Sequence, residues 1–241
     1  MKFSKAFTSL FLMMISFVGF AQSDVRAWIG VDAKYDLNKR WSLGMETQTR
    51  TDLKLGRLDN AYISPNLSWK IHKHLETGFS YRLSSVPYSK STTNRVTSSR
   101  FSLDFTFRNI EEFFAKKPRL GVSLRLQGTR EYEAEKRTDN TLRLKLILDY
   151  DLPNSKLDLF ASTELFYRFQ RDLVYTFSEV QSVDAINKYR VKLGLSYPLG
   201  DHQDIKVYGL NQWRYPDGRS EFVIGLGYSC DFSSKKKSKK K

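Results

Sequence analysis

The chain has 241 residues, enough for one domain or two small ones. Its formal net charge is +14, but Lys2, Lys5 and the six lysines of the closing "SSKKKSKKK" account for eight of these charges. About +6 is left on the rest, too ordinary a balance to point to a nucleic-acid partner. The single cysteine, Cys230, excludes an internal disulfide. Mean hydropathy is −0.49, and no internal apolar run reaches the roughly 18 residues of a membrane-spanning helix.

In chain order, Lys2 and Lys5 precede an apolar run from Ala6 to Phe20. Gly19 and Ala21 then give a small-x-small cleavage site before Gln22. This predicts a secretory signal peptide over residues 1–21, and a mature chain exported into a Gram-negative envelope. No cysteine follows the cleavage site, which argues against a lipid anchor.

From there to Phe232 the chain reads as strands. Val25, Ala27, Ile29, Val31, Ala33 and Tyr35 share one face, with Arg26, Asp32 and Lys34 on the other. Trp41, Leu43 and Met45 oppose Glu46, Gln48 and Arg50. Ile63, Leu67 and Trp69 oppose Ser64, Asn66 and Lys70. Phe79, Tyr81 and Leu83 alternate with Ser80 and Arg82; Phe101, Leu103, Phe105 and Phe107 alternate with Arg100, Asp104 and Arg108. Val122, Leu124 and Leu126 alternate with Arg125 and Gln127. In "TLRLKLILDYDL", four leucines and Tyr150 face Arg143, Lys145 and Asp149, with Ile147 the exception. Leu159, Leu165 and Tyr167 oppose Asp158, Glu164 and Arg168; Val191, Leu193 and Leu195 oppose Arg190 and Lys192. Residues 205–215 alternate poorly, which predicts a bulge or a barrel rim. Phe222, Ile224, Leu226 and Tyr228 close the series. The tight links "DLNKR", "HKH", "DLPNSK" and "PLGDHQ" alternate with longer polar stretches over 84–99, 131–140 and 170–185. The final "SSKKKSKKK" reads as a disordered basic tail over 233–241, with anionic head groups as the surface it suits.

Three features decide which face meets water. The charged face mixes long charged groups with Gly, Ser and Thr, as a crowded lumen requires. Aromatics gather near strand ends on the apolar face: Tyr35, Trp41, Trp69, Tyr150, Tyr167, Tyr197, Trp213 and Tyr228. That matches interfacial girdles. The segments reach the roughly 9–11 residues that a tilted strand needs to cross a bilayer. The expected fold is therefore all-β: a transmembrane antiparallel up-and-down barrel over residues 22–232. About eleven segments alternate, and bacterial barrels normally have an even number, so 10 or 12 strands are expected. A soluble lipocalin-like barrel is the alternative fold.

"WIGVDAKYDLNKRWSLGMETQTR", "HKHLETGFSYR", "TLRLKLILDYDL", "LFASTELFYRF" and "YRVKLGLSYPL" occur in an order that resembles the DUF2490 family of uncharacterised outer-membrane barrels. The resemblance runs over nearly all the mature chain. It implies a barrel in the outer membrane with no established activity and supplies no functional residue. The last strand, "FVIGLGYSCDF", also resembles the aromatic signal that such barrels present to the barrel assembly machinery, although here a lysine tail follows Phe232.

No enzyme chemistry is legible. His72, His74 and His202 all fall in expected tight turns, no phosphate-binding loop is present, and no ligand set suggests a metal or cofactor. The candidate site is instead the lumen. Its expected charged lining is Glu46, Arg50, Arg82, Arg100, Asp104, Arg108, Arg125, Glu131, Arg143, Lys145, Asp149, Asp158, Glu164, Arg168, Arg190 and Lys192. Such groups need partners, and Arg143 is expected to pair with Glu164 or Glu131. Two functions stay open: a small channel for solutes with a mild anion preference, or a non-conducting barrel whose ion-paired interior is a plug. Outer-membrane lipid, the assembly machinery and small solutes are the expected partners.

Overall fold

A computed structural model describes residues 24–87, 95–113, 119–133, 138–169, 174–176, 179–181, 185–215 and 218–232. The expected leader and the basic tail lie outside them. Eleven strands form one closed barrel. They are β1 (Asp24–Asp36), β2 (Trp41–Asp52), β3 (Arg57–His72), β4 (Leu75–Pro87), β5 (Arg95–Phe107), β6 (Leu120–Glu133), β7 (Asp139–Asp151), β8 (Asp158–Arg168), β11 (Ala185–Pro198), β12 (Gln203–Arg214) and β13 (Ser220–Asp231). The two short strands β9 (Val174–Thr176) and β10 (Glu179–Gln181) form a separate hairpin within the β8–β11 connection. A single 3₁₀ turn, Ile110–Phe113, sits between β5 and β6.

Successive barrel strands pair antiparallel in chain order, the up-and-down meander expected from the alternation. The strand number differs from the expected 10 or 12. With eleven alternating staves the first and last run in the same direction, so β1 and β13 close the barrel as a parallel pair, from Asp24↔Glu221 to Lys34↔Asp231. The even number was carried over from other barrels; the count of alternating segments was the better guide.

The sidedness is inside out relative to a soluble protein. Exposed residues include Ile29, Val31, Leu43, Met45, Phe79, Leu103, Phe105, Leu144, Val207, Ile224 and Leu226, which belong to strands all round the barrel. Among the described residues, twelve polar or charged side chains are buried against six apolar ones. A continuous apolar exterior around a polar interior is stable only in lipid. The aromatics mark its edges. Tyr35, Trp41, Trp69, Tyr150, Tyr197 and Tyr228 lie towards one end of their strands, and Trp41 stacks on its cross-strand partner Trp69 at 5.6 Å. Tyr167, Tyr189 and Trp213 lie towards the other end, where Tyr189 stacks on Trp213 at 5.6 Å. The eight steps from Tyr189 to Tyr197 span ~26 Å of strand, or about 20 Å of membrane normal after a tilt of ~40°.

The connections 37–40, 73–74, 152–157 and 199–202 all fall at one end, called here the tight-turn end. The longer polar stretches fall at the other, but they are less loop than expected. β4 and β5 stay paired to Pro87↔Arg95, and β6 and β7 to Glu131↔Asp139. Strands there outrun the apolar band, wet on both faces, so no alternation betrays them. The poorly alternating segment is also regular: β12 pairs with β11 and β13 without a register shift. Its pattern is blurred because Tyr208 and Leu210 turn inward, into a small cluster with Trp28, Val223 and Phe160. Bulges occur instead at Arg50/Thr51, Lys70/His72 and Ile186/Lys188.

Candidate functional site: a charged lumen

Inward-facing positions recur every second residue on each stave, so closing the barrel brings together charges far apart in sequence. Two interior cavities result among the described residues. The first, of about 540 Å³, is lined by Glu46, Arg50, Arg82, Arg100, Asp104, Arg125, Arg143, Lys145, Glu164, Arg190 and Lys192 from the expected set. Asp149 and Asp158 line the second, of about 570 Å³, at the tight-turn end. The remaining expected residues sit nearer the rims. Glu131 accepts from Arg100 at 2.5 Å and from Ser98 at 2.8 Å. Arg108 pairs with Glu76 at 3.1 Å, and Arg168 with Asp139 at 3.2 Å.

The ion pairs join into one network across neighbouring staves. Glu164, almost fully buried, meets Arg143 at 2.7 Å, Lys145 at 3.0 Å and Arg190 at 3.5 Å. Arg143 thus takes the first of its two expected partners, while Glu131 takes Arg100. Arg190 donates to Gln212 at 2.5 Å, and Gln212 donates to Glu221 at 2.8 Å. Glu221 meets Arg214 at 2.9 Å and Arg26 at 3.2 Å. On the facing wall Glu46 accepts from the Tyr62 hydroxyl and from Arg82 at 3.2 Å.

A second arrangement was not foreseen. Aromatic rings on the charged faces alternate with guanidinium groups around the lumen. Arg82 lies 3.7 Å from the Tyr62 ring; Arg50 lies 5.4 Å from Tyr62 and 4.1 Å from Trp28. Arg190 lies 5.4 Å from Trp28 and 4.8 Å from Phe166, which also carries Arg143 at 5.1 Å. Seven staves thus contribute to one arginine–aromatic belt. Stacking holds each arginine against the wall at ~0.5–2 kcal/mol per contact. The clue in the sequence was an aromatic at a position of the charged face: Trp28 between Arg26 and Gly30, Tyr62 between Asn60 and Ser64, Phe166 between Glu164 and Arg168.

The two cavities differ in sign. Ten basic and five acidic side chains line the first. The second has Asp32, Glu46, Asp149, Asp151, Asp158, Asp201 and Asp204 against Lys145, Lys192 and Lys206. Of the acidic half, Glu46, Asp149 and Asp158 belong to the expected lining; Asp151, Asp201 and Asp204 escaped sequence reading because they look like ordinary turn residues. The histidines stay at the tight-turn end, His72 beside His74 at 5.7 Å, with His74 Nδ1 3.1 Å from the Arg108 carbonyl.

A family model, DUF2490, described as a protein of unknown function, matches residues 25–223. Among solved structures, a bacterial polysaccharide outer membrane secretin is similar at 14% identity and a TM-score of 0.50. The match covers 79% of this chain and 64% of the secretin, so the chain spans less than two thirds of that protein's length. The translocator domain of the autotransporter NalP from Neisseria meningitidis matches at 14% identity over 78% of this chain and 73% of that one, with a TM-score of 0.35. No curated protein matches the chain.

Proposed function

The chain belongs to the DUF2490 family, and from that premise we propose that it is an outer-membrane barrel through which small solutes pass, anions more readily than cations. One observation carries this reading. The two cavities share Asp32, Glu46, Gln48, Lys145, Lys192 and Lys206, so they adjoin with only these side chains between them. The backbone leaves room for such a path. Eleven staves spaced ~4.8 Å apart and tilted ~40° enclose a radius of about 11 Å. That lies between an eight-stranded barrel, filled by its side chains, and an open porin. The excess of basic groups in the first cavity sets the preference for anions.

In this reading the leader over residues 1–21 directs export, the assembly machinery engages β13, and the exterior meets outer-membrane lipid. The interior then serves as an ion-paired lining for passage rather than as a catalytic centre. Purified protein in a planar bilayer is expected to give stable single-channel steps. In a potassium chloride gradient, its reversal potential is expected to lie on the chloride side of zero. Silence from protein shown to be folded by heat-modifiable migration would overturn the reading.

A specific observation favours a second reading. The Glu164 network ties neighbouring staves together and Arg190 reaches Trp28 past two intervening staves at 5.4 Å, crowding the lumen as a plug does. The same recording separates the two, because a plugged barrel is silent until the belt is cut back. Arg50→Ala with Arg82→Ala then creates conductance, whereas in a channel it enlarges an existing step and weakens anion preference.

A further inference from the structure

The belt has an imbalance on one side. Arg82, Arg143, Arg190 and Arg100 each have a carboxylate within ion-pair distance. Arg50 and Lys188 have none among the described residues. Arg50 donates to Gln48 at 2.7 Å and stacks on Trp28; Lys188 sits 4.6 Å from the Phe166 ring. Arg190, Arg214, Arg100 and Arg50 stand around Lys188, with the Glu131 carboxylate also within electrostatic range. Beside them the indole N–H of Trp28, a residue only 5% exposed, has no acceptor. Trp28, Arg50, Lys188 and Arg190 all line the same cavity of about 540 Å³.

Interior charges without partners are costly unless something of opposite sign completes them. Here the donors converge from β1, β2 and β11 on one volume, and rings flank them. We propose that this corner of the lumen is a binding site for a small oxyanion, a phosphate, sulfate or carboxylate group, held by Arg50, Lys188 and Arg190 with the Trp28 indole N–H as a fourth donor. Guanidinium and ammonium groups bind such oxygens by charge-assisted hydrogen bonds, and the fork of Arg50 can engage two at once. A free ion and an anionic group on a larger solute share this chemistry. The cavity volume admits either, since sites for small molecules span about 300–1,000 Å³. The site deepens the proposed anion preference and rests on the lumen reading above. It requires only that the belt be wet, not that ions cross the membrane.

The protein supplies its own reporter. It has four tryptophans, and Trp41, Trp69 and Trp213 sit in the outer girdles. The variant W41F/W69F/W213F, refolded in detergent, leaves Trp28 as the only emitter. Titration with sodium phosphate or sulfate, replacing sodium chloride at constant ionic strength, is expected to shift its emission saturably. Arg50→Gln or Lys188→Gln in that background is expected to weaken the response at least about tenfold. Lys34→Gln, whose lysine pairs with Asp36 near the tight-turn end at 3.1 Å, leaves it unchanged. No saturable shift, or one indifferent to both Arg50 and Lys188, overturns the site. A phosphorylated sugar binding more tightly than inorganic phosphate would identify a solute-borne group as the occupant. The reverse order would identify the free ion. Binding without conductance would sink the channel and keep the site; conductance without binding would do the opposite.

Discussion

Glu164 is the residue on which the interior charge balance turns. Three cations from two neighbouring strands share its carboxylate. Removing one partner of a buried pair leaves the other charge uncompensated, at a cost of about 3–5 kcal/mol. Glu164→Gln strands three such partners and is expected at the upper part of that range. Arg143→Gln leaves Lys145 and Arg190 on the carboxylate and is expected to cost less. Urea midpoints for folding into detergent or lipid measure both, and equal effects would mean that water in the lumen already solvates Glu164. A different constraint acts at Gly225, where an added Cβ would lie 2.0 Å from the Tyr208 ring. That ring is wedged in the Trp28 cluster, so Gly225→Ala is expected to cost about 1–3 kcal/mol on the same scale. At this scale the sequence was readable wherever charge alone decides. Arg143 and Glu164 lie on the inward face of consecutive strands, one diagonal step apart, and their pairing followed from alternation. The aromatic half of the belt did not, because an inward ring in a polar face breaks the pattern that identifies the face. Its role needs the neighbouring arginine, which lies on another strand.

Among the elements, period and length identified every barrel strand but β12, because lipid on one side and water on the other impose an alternation that only the inward Tyr208 and Leu210 blur. Two features lay beyond that logic. Strand ends that protrude into water are polar on both faces, so pairs such as Pro87↔Arg95 are invisible to a period of two. The closing pair is invisible for another reason, since alternation says nothing about which strand meets which. The β1–β13 seam is parallel, with the slanted and slightly weaker bonds of that geometry. Its register sets Ile29 opposite Leu226, both facing outward. In a Cys230→Ser background, Ile29→Cys with Leu226→Cys is therefore expected to form a disulfide on oxidation. Cα atoms ~4.8 Å apart in paired strands lie within disulfide reach. Ile29→Cys with Phe222→Cys, four residues out of register, is expected to stay reduced. The two outcomes are read as altered migration of the boiled protein, and crosslinking of the second pair alone would mean a slipped or differently closed barrel.

For the whole molecule, the odd strand number fixes sidedness. In an even barrel the chain enters the first strand and leaves the last on the same side; here Asp24 and Asp231 are at opposite ends. Short turns face the periplasm in bacterial barrels and longer loops face outward. By that rule the 152–157 and 199–202 turns, the acidic cavity and Asp231 are expected on the periplasmic side. Asp24 and the 53–56 turn then face the medium, on the side of the basic belt. Such polarity has a consequence for the proposed traffic: an anion from outside would meet the basic belt, with Glu131 and Asp139 already paired at its rim, before the acidic cavity. An anion from the periplasm must first pass seven carboxylates set against three lysines. Currents carried by anions are therefore expected to rectify. Asp151→Asn with Asp204→Asn is expected to reduce the asymmetry without abolishing current, as recorded in bilayers with all channels inserted in one direction. Orientation itself is read independently with a short epitope placed just before Asp24, in the 53–56 turn, or in the 152–157 turn. The first two are expected to be labelled on intact cells, and the third only after the outer membrane is permeabilised. Labelling of the 53–56 epitope with the Asp24 epitope hidden would require an additional crossing ahead of β1, and would replace the parallel closure with an even, antiparallel one.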